Sequence, residues 1–234
     1  MRICGTQGVS AIDFPGRVST VVFLGGCNFR CPFCQNPDLV LNPGSMPALG
    51  EDDFIADITR KKGFIDGVVV TGGEPLINGE QVLSLLRRIK DTGLAVKLDT
   101  NGYEVEVLEE VFLRGLVDYV AMDAKTSLEK YGEAVAMPLL DTNRIVSAIG
   151  LVQKSGVAHE FRTTCVPGLV DEDDVSSIAQ MLGPSEDYYL QQFRPGPDVI
   201  DRAYSVKSPY PPARLSAFAD AARPYVRSVS IRGV

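Results

Sequence analysis

The sequence GGCNFRCPFCQN at residues 25–36 places three thiols, Cys27, Cys31 and Cys34, within a span of eight residues. Soft thiolate ligands favour iron–sulfur clusters or zinc over hard cations. A closed structural zinc site takes four protein ligands, and no fourth cysteine lies at ligand spacing. Three thiolates can hold three corners of a cubane cluster, which leaves one iron open to bind a substrate.

Two other interpretations of this stretch are possible. The thiols could be surface or disulfide-bonded residues, but the chain has five cysteines, an odd number, and no secretory h-region at its N-terminus. A zinc site completed by the only histidine, His159, is also possible, although ligands so far apart in sequence are unusual. The spacing favours a site-differentiated [4Fe–4S] cluster over both.

Composition and charge limit the remaining classes. The 234 residues are 45% hydrophobic and 23% charged, which is typical of one globular domain over residues 1–234. A net charge of −7 weighs against a nucleic-acid partner, which normally needs a basic surface. No run of 18 apolar residues is present, so we expect no membrane association and a cytoplasmic location.

Apolar residues alternate between strand and helix periods along the chain, which gives six strand–helix units. This alternation predicts a parallel α/β sheet with right-handed crossovers. An eight-unit barrel usually needs about 250 residues, so six units favour a partial (β/α)6 TIM-like barrel, with a doubly wound open sheet as the alternative. The predicted strands are 18–24, 67–71, 94–99, 117–123, 158–166 and 188–193, with a short one at 228–231, and the predicted helices are 51–62, 79–90, 105–113, 142–154, 171–182 (with Asp171 as N-cap) and 212–223.

Polar motifs follow the predicted strands at their carboxyl ends, where parallel α/β folds carry their chemistry. The glycines of such a motif let a ligand approach the backbone, and its charged residues can bind ligand charges. Each motif could also be purely structural: a tight turn, a surface lysine or a surface salt bridge. The motifs are TGGEP at 71–75, DTNG at 99–102, MDAK at 122–125, RTTCVPG at 162–168 and QQFRPG at 191–196.

Together these motifs resemble a known family. The three cysteines, with Phe33 before the last of them, are similar to the signature of radical S-adenosylmethionine (SAM) enzymes. The flanking DFPG at 13–16 and QNP at 35–37 resemble the branch that activates glycyl-radical enzymes. The closest likeness is to activating proteins of anaerobic ribonucleoside-triphosphate reductase, and it favours the partial barrel.

The resemblance implies a [4Fe–4S] cluster on Cys27, Cys31 and Cys34, with SAM at the open iron. It implies that Gly72, Gly73 and Glu74 hold the SAM amino group and that Lys125 pairs with its carboxylate. The resemblance places Asp99 and Asp123 near that carboxylate. These three negative groups would repel one another, so either a monovalent cation or Lys125 is required there. The full set of implied SAM-binding residues is Phe33, Asn36, Gly72, Gly73, Glu74, Asp99, Thr100, Asp123, Lys125, Arg162 (ribose or carboxylate), Thr164 (adenine region) and Arg194.

The implied activity is reductive cleavage of SAM to a 5′-deoxyadenosyl radical, which generates a glycyl radical on anaerobic ribonucleotide reductase. The implied partners are that reductase and an electron donor such as flavodoxin or ferredoxin. The absence of a histidine constellation fits radical chemistry, which needs no general acid or base. Alternatives are a radical SAM enzyme acting on another glycyl-radical enzyme, a peptide, RNA or a small metabolite, and a non-catalytic iron–sulfur electron-transfer protein. We expect Cys4, Cys165 and His159 to be structural.

Overall fold

The computed structural model describes residues 1–234 and contains eight β-strands and eight α-helices. The strands are β1 (Ile3–Phe14), β2 (Arg17–Leu24), β3 (Gly67–Gly72), β4 (Ala95–Thr100), β5 (Tyr119–Asp123), β6 (Ala158–Cys165), β7 (Asp187–Gln192) and β8 (Ser228–Arg232). The helices are α1 (Pro37–Leu41), α2 (Glu51–Arg60), α3 (Glu80–Asp91), α4 (Val105–Leu113), α5 (Tyr131–Ala134), α6 (Thr142–Lys154), α7 (Glu172–Leu182) and α8 (Pro212–Ala222).

The strands form one sheet in the order β1 to β8. Strand β1 pairs with β2 in antiparallel orientation, whereas the pairs β2–β3, β3–β4, β6–β7 and β7–β8 are parallel. Parallel neighbours need crossover connections, and the helices between successive strands supply them. No helix has the length and apolar character needed to cross a membrane.

Strand β1 is absent from the sequence-based prediction. Most of its central residues are exposed, so it shows no apolar alternation that would predict a strand. Pro15 and Gly16 form the turn that joins it to β2. Gly16 has φ of +70°, a conformation that glycine adopts without strain. The segment DFPG at 13–16 therefore belongs to a hairpin turn.

The chain divides by its contacts into two compact units. The first consists of Met1–Asn28, Asp38–Ala121 and Gly150–His159, and the second of Phe29–Pro37, Met122–Ile149 and Glu160–Val234. In the first unit, Phe14, Val21 and Val69 form an apolar cluster on one face of the sheet, with Phe23, Ala95 and Tyr119 packed against it.

The second unit has its own buried elements. Helix α7 begins with Asp171, whose carboxylate accepts the N–H groups of Asp173 and Asp174, and Asp174 completes a capping box. Helix α8 buries Leu215 and Phe218. Asp171, the predicted N-cap of α7, is thus confirmed. Pro212 stands in the first turn of α8, where the missing N–H of proline costs no hydrogen bond.

The six strand–helix units predicted from periodicity are all present, with their ends shifted by no more than about two residues, as is common for such boundaries. The short strand at the C-terminus is confirmed as β8. The short helices α1 and α5 were not predicted. With four or five residues each, they are too short to display a helical period.

Candidate active site

In the first unit, the turn after β3 packs directly onto the end of β2. The N–H of Gly73 donates to the Leu24 carbonyl at 2.9 Å, and the N–H of Glu74 donates to the Gly26 carbonyl at 2.8 Å. A Cβ on Gly73 would lie 1.8 Å from the Gly26 oxygen, and one on Gly72 would lie 2.2 Å from the Leu24 oxygen. Both glycines are therefore required by the close approach of two backbone segments of the chain itself.

Glu74 is a buried carboxylate held by hydrogen bonds. The residue is only 1% exposed to solvent. Oε1 accepts from the Leu76 N–H at 3.0 Å and from the Thr100 hydroxyl at 2.8 Å, and Oε2 accepts from the Asn101 N–H at 2.7 Å. The carboxylate thus ties the turn after β3 to the DTNG turn after β4.

A further set of polar contacts reaches Asn28, which follows the half-buried Cys27. The Asn28 amide donates to Glu104 Oε1 at 3.1 Å and accepts from the Asn101 amide at 2.8 Å. The Cys27 Sγ lies 3.8 Å from Asn28 Oδ1. Three loops at the carboxyl ends of β2, β3 and β4 therefore form one hydrogen-bonded network around Cys27.

In the second unit, the rest of the cysteine loop is held by backbone contacts. The N–H of Cys34 donates to the Cys31 carbonyl at 3.0 Å, which closes a turn. The N–H of Asp201 donates to the Pro32 carbonyl at 2.9 Å. The ring of Phe33 lies 6.4 Å from that of Tyr204. The segment after β7 therefore supports this part of the loop.

Asp123, at the end of β5, lies between two cations. Lys125 Nζ donates to its Oδ2 at 2.8 Å, and Arg162 Nε donates to its Oδ1 at 2.8 Å. Burial opposes ionisation of the carboxyl, but the charges of Arg162 and Lys125 outweigh it and hold the pKa of Asp123 well below its usual range. Burial likewise opposes the charge on Lys125, yet Asp123 raises the Lys125 pKa above its ordinary value.

The thiol of Cys31 is buried in this charged environment. Burial raises its pKa to about 11, while the positive charge of Lys125 lowers it. The pKa of Cys165, buried in β6, rises to about 12, and desolvation is the only cause. Cys31 thus has beside it a cation that favours its thiolate, and Cys165 does not.

The other predicted residues occupy varied surroundings. Asp99 forms an ion pair with Lys97, and Thr164 is half-buried in β6 beside Gln191. Asn36 is exposed. Arg194 is exposed and its carbonyl accepts the Gln35 side-chain amide at 2.5 Å. The alternative of a surface salt bridge at Arg194 is not observed.

Several residues of the site were missed from sequence. Asn28 and Asn101 lie inside quoted motifs. Their side-chain amides bond to each other, but the two residues are 73 positions apart in the sequence. Tyr131, whose hydroxyl lies 3.3 Å from the Lys125 N–H and donates to the Asp123 carbonyl, stands outside every motif. Lys97 could have been identified from the sequence, since it is a charged residue within an apolar strand.

The donor chemistry of the cysteine loop fits an iron–sulfur cluster. All three cysteines carry free thiols. No group of three or more His, Cys, Asp or Glu side chains is arranged to hold a single metal ion, but a cubane binds each thiolate through a different iron, so its ligands need not converge on one point. His159, the zinc ligand of the alternative interpretation, is half-buried, and its Nδ1 donates to the Val157 carbonyl at 2.7 Å.

Residues 21–180 match the family model described as the radical SAM superfamily. The chain belongs to this superfamily. The predicted α/β fold with a partial (β/α)6 TIM-like barrel is confirmed, and the predicted [4Fe–4S] cluster and SAM are the cofactors of the superfamily.

Two curated relatives are similar to this radical SAM protein at the level of sequence. A Methanocaldococcus jannaschii protein described as "Putative glycyl-radical enzyme activating enzyme MJ1227" is 36% identical over 236 residues, which cover 99% of this chain and 96% of the relative. The pyruvate formate-lyase-activating enzyme of Clostridium pasteurianum is 33% identical over 128 residues, which cover 53% of this chain and 52% of the relative. The chain is therefore a radical SAM protein homologous to glycyl-radical enzyme activating enzymes.

Solved structures support the fold. Streptococcus suis SuiB bound to S-adenosylmethionine matches with a TM-score of 0.66 at 13% identity, over 91% of this chain and 52% of SuiB. The chain thus spans about half the length of that structure. At this identity the match concerns the fold alone.

Proposed function

We propose that this protein activates anaerobic ribonucleoside-triphosphate reductase by generating a glycyl radical on it. The observation that carries the proposal is the similarity to a glycyl-radical enzyme activating enzyme over nearly the full length of both chains. The DTNG and MDAK motifs, which resemble those of glycyl-radical activases, support a glycyl-radical enzyme as the partner.

Cys27, Cys31 and Cys34 hold the cluster in this proposal. When bound, the cluster and SAM would supply a 5′-deoxyadenosyl radical able to take a hydrogen atom from the partner, with a flavodoxin- or ferredoxin-type protein as the electron donor. The positive charge of Lys125 acts to lower the pKa of the Cys31 thiol, which favours the thiolate needed for ligation. The Asn28 network fixes the backbone that carries Cys27.

The proposed SAM-binding roles fall to the turn after β3, in the first unit, and to residues after β5 and in β6, in the second unit. The backbone of Gly72 and Gly73 meets the SAM amino group in this proposal. Glu74, which the family resemblance assigned to the same group, instead fixes that turn, because its oxygens already accept three hydrogen bonds. Lys125 is the cation for the SAM carboxylate. It keeps its charge because Asp123 raises its pKa. Arg162 lies at the ribose or carboxylate end, and Thr164 lies near the adenine.

The remaining proposed contacts belong to residues of differing exposure. Phe33 and Asn36 follow Cys31 in the loop and adjoin the cofactor, with Phe33 buried and Asn36 exposed. Asp99 and Thr100 stand at the end of β4 on the SAM side. Arg194 is exposed on the segment that supports the cysteine loop, where it is available to the partner protein.

A second candidate is activation of pyruvate formate-lyase, since an activating enzyme of that lyase is among the relatives. It shares the cluster, SAM and radical step, and differs only in the protein that receives the radical. One experiment can test both candidates.

The test is anaerobic reconstitution of the protein with iron and sulfide, followed by mixing with SAM, reductant and either partner enzyme. We expect 5′-deoxyadenosine by chromatography and a glycyl-radical EPR signal on the reductase. Cys31→Ala should abolish both, whereas Cys165→Ala, which removes a thiol buried in β6, should retain both. A signal on the lyase alone would select the second candidate, and SAM cleavage without a radical on either would exclude both.

A further inference from the structure

Lys97 is a lysine buried in the middle of β4, in the run Ala-Val-Lys-Leu-Asp-Thr. It is 2% exposed, and its neighbours Val96 and Leu98 are fully buried. A lysine is almost never buried without a partner, because its ammonium loses its hydration on leaving water. The burial of Lys97 in the first unit therefore requires a specific partner for its ammonium.

The parallel register shows which face of the sheet Lys97 occupies. It stands beside Val69 of β3, and residues paired in this way point to the same face. Val69 belongs to the apolar cluster with Phe14 and Val21. Lys97 is therefore on the same face as that cluster, and Asp99, two residues later, is on this face too, nearer the carboxyl end of the strand.

The partner of Lys97 is Asp99, since its Nζ donates to Asp99 Oδ1. The Asp99 side chain is 18% exposed, whereas that of Lys97 is 2% exposed. The ammonium thus reaches the carboxylate from the interior side and leaves part of Asp99 accessible. In the second unit, Asp123 is likewise compensated by cations of the chain, Lys125 and Arg162.

We propose that Lys97 is a built-in counter-ion for Asp99, which lets the site accept the SAM carboxylate without an alkali-metal cation. The inference rests on the proposed function, because it assumes that SAM binds beside Asp99. Sequence alone indicated that acidic side chains beside a ligand carboxylate require a positive charge, from a monovalent cation or from Lys125. Lys97 neutralises Asp99 from within the fold, in place of an alkali cation, and acts as a positioning residue, while Lys125 remains the cation for the SAM carboxylate.

The test measures SAM affinity of the cluster-reconstituted protein by anaerobic calorimetry in tetramethylammonium, potassium and sodium chloride at equal ionic strength. The wild-type affinity should agree within about twofold among the three salts, because no alkali cation is taken up with SAM. Lys97→Met should bind SAM about tenfold more weakly in tetramethylammonium and recover in potassium or sodium chloride. Lys90→Met, which removes a lysine paired with Asp118 on the surface of the same unit, should behave as wild type.

A double variant makes the result specific. Lys97→Met combined with Asp99→Asn removes both charges, so its SAM affinity should not respond to potassium or sodium. The proposal is overturned if wild-type affinity rises severalfold with either cation, or if Lys97→Met equals wild type in tetramethylammonium. Should Lys97→Met fail to fold, the wild-type salt series decides alone. Wild type that binds SAM in none of the salts would instead contradict the proposed function.

Discussion

Two carboxyl groups at strand ends are held in different ways. Glu74, in the first unit, is almost completely buried and accepts three hydrogen bonds from neutral donors. Asp123, in the second unit, has a side chain 27% exposed and is held by two cations. The first arrangement fixes the geometry of the chain, and the second fixes charge where a ligand can still reach it.

This difference separates construction of the site from recognition of a ligand. A carboxylate whose oxygens are filled by backbone and hydroxyl donors has little capacity left for a ligand. Asp123 instead pairs with Lys125 and Arg162 and so orients both cationic side chains. Each of these side chains keeps further N–H donors that a ligand can use. The two regions should therefore respond differently to substitution, salt and pH.

The largest expected effect comes from Gly73→Ala, which disrupts the hydrogen-bonded region. The added methyl would lie 1.8 Å from the Gly26 carbonyl, and backbone cannot move aside as a side chain can. We expect a loss of about 3 kcal/mol in the free energy of unfolding, together with loss of bound iron. Denaturant unfolding and iron analysis measure the two effects, and a variant with unchanged values for both would show that the contact is dispensable.

Glu74→Gln should have the next largest effect. The amide can still accept at its oxygen, but its NH2 group would face a buried donor, which is then left unsatisfied. The expected cost is about 2 kcal/mol by denaturant unfolding. Thr100→Val, which removes one donor to Glu74 and the acceptor of the Gly102 N–H, is the comparison variant and should cost about 1 kcal/mol. Equal costs for the two variants would argue against a network centred on Glu74.

Asp123→Asn tests the charged region. It leaves Lys125 and Arg162 without their anion, and we expect a cost of about 1–2 kcal/mol, because the pair is partly exposed. The pKa of Asp123 is depressed below an unfolded value of about 3.9, so its stabilisation is present above about pH 4 and is lost as the pH falls. The raised pKa of Lys125 keeps that partner charged up to at least about pH 10.

The difference in unfolding free energy between wild type and Asp123→Asn should therefore be constant from about pH 5 to 9 and shrink below about pH 4. Unfolding curves at several pH values measure it. The same difference for Glu74→Gln should fall less when salt is added, because screening acts mainly on the exposed charges. A larger salt effect at Glu74 would reverse the distinction between the two carboxylates.

The smallest expected effect is at Gly150, in α6, which touches neither carboxylate. A Cβ there would meet no atom within 4 Å, and its φ is not positive. Gly150→Ala should raise the free energy of unfolding by about 0.5–1 kcal/mol, since alanine loses less entropy in a helix. Thermal unfolding would show it, and a destabilised variant would mean that the helix surface at Gly150 is covered.

The sequence by itself determined the cysteine spacing, the six strand–helix units and the motifs at the strand ends, because each is a local pattern of residue type and period. Only the tertiary structure decided how those motifs are used. Glu74 meets Thr100 across 26 residues, and Arg162 meets Asp123 across 39. Strand β1 exists through its pairing with β2, and its own pattern gives no sign of it. Hydrogen bonds and ion pairs between distant segments depend on how the strands are brought side by side, which no local pattern records.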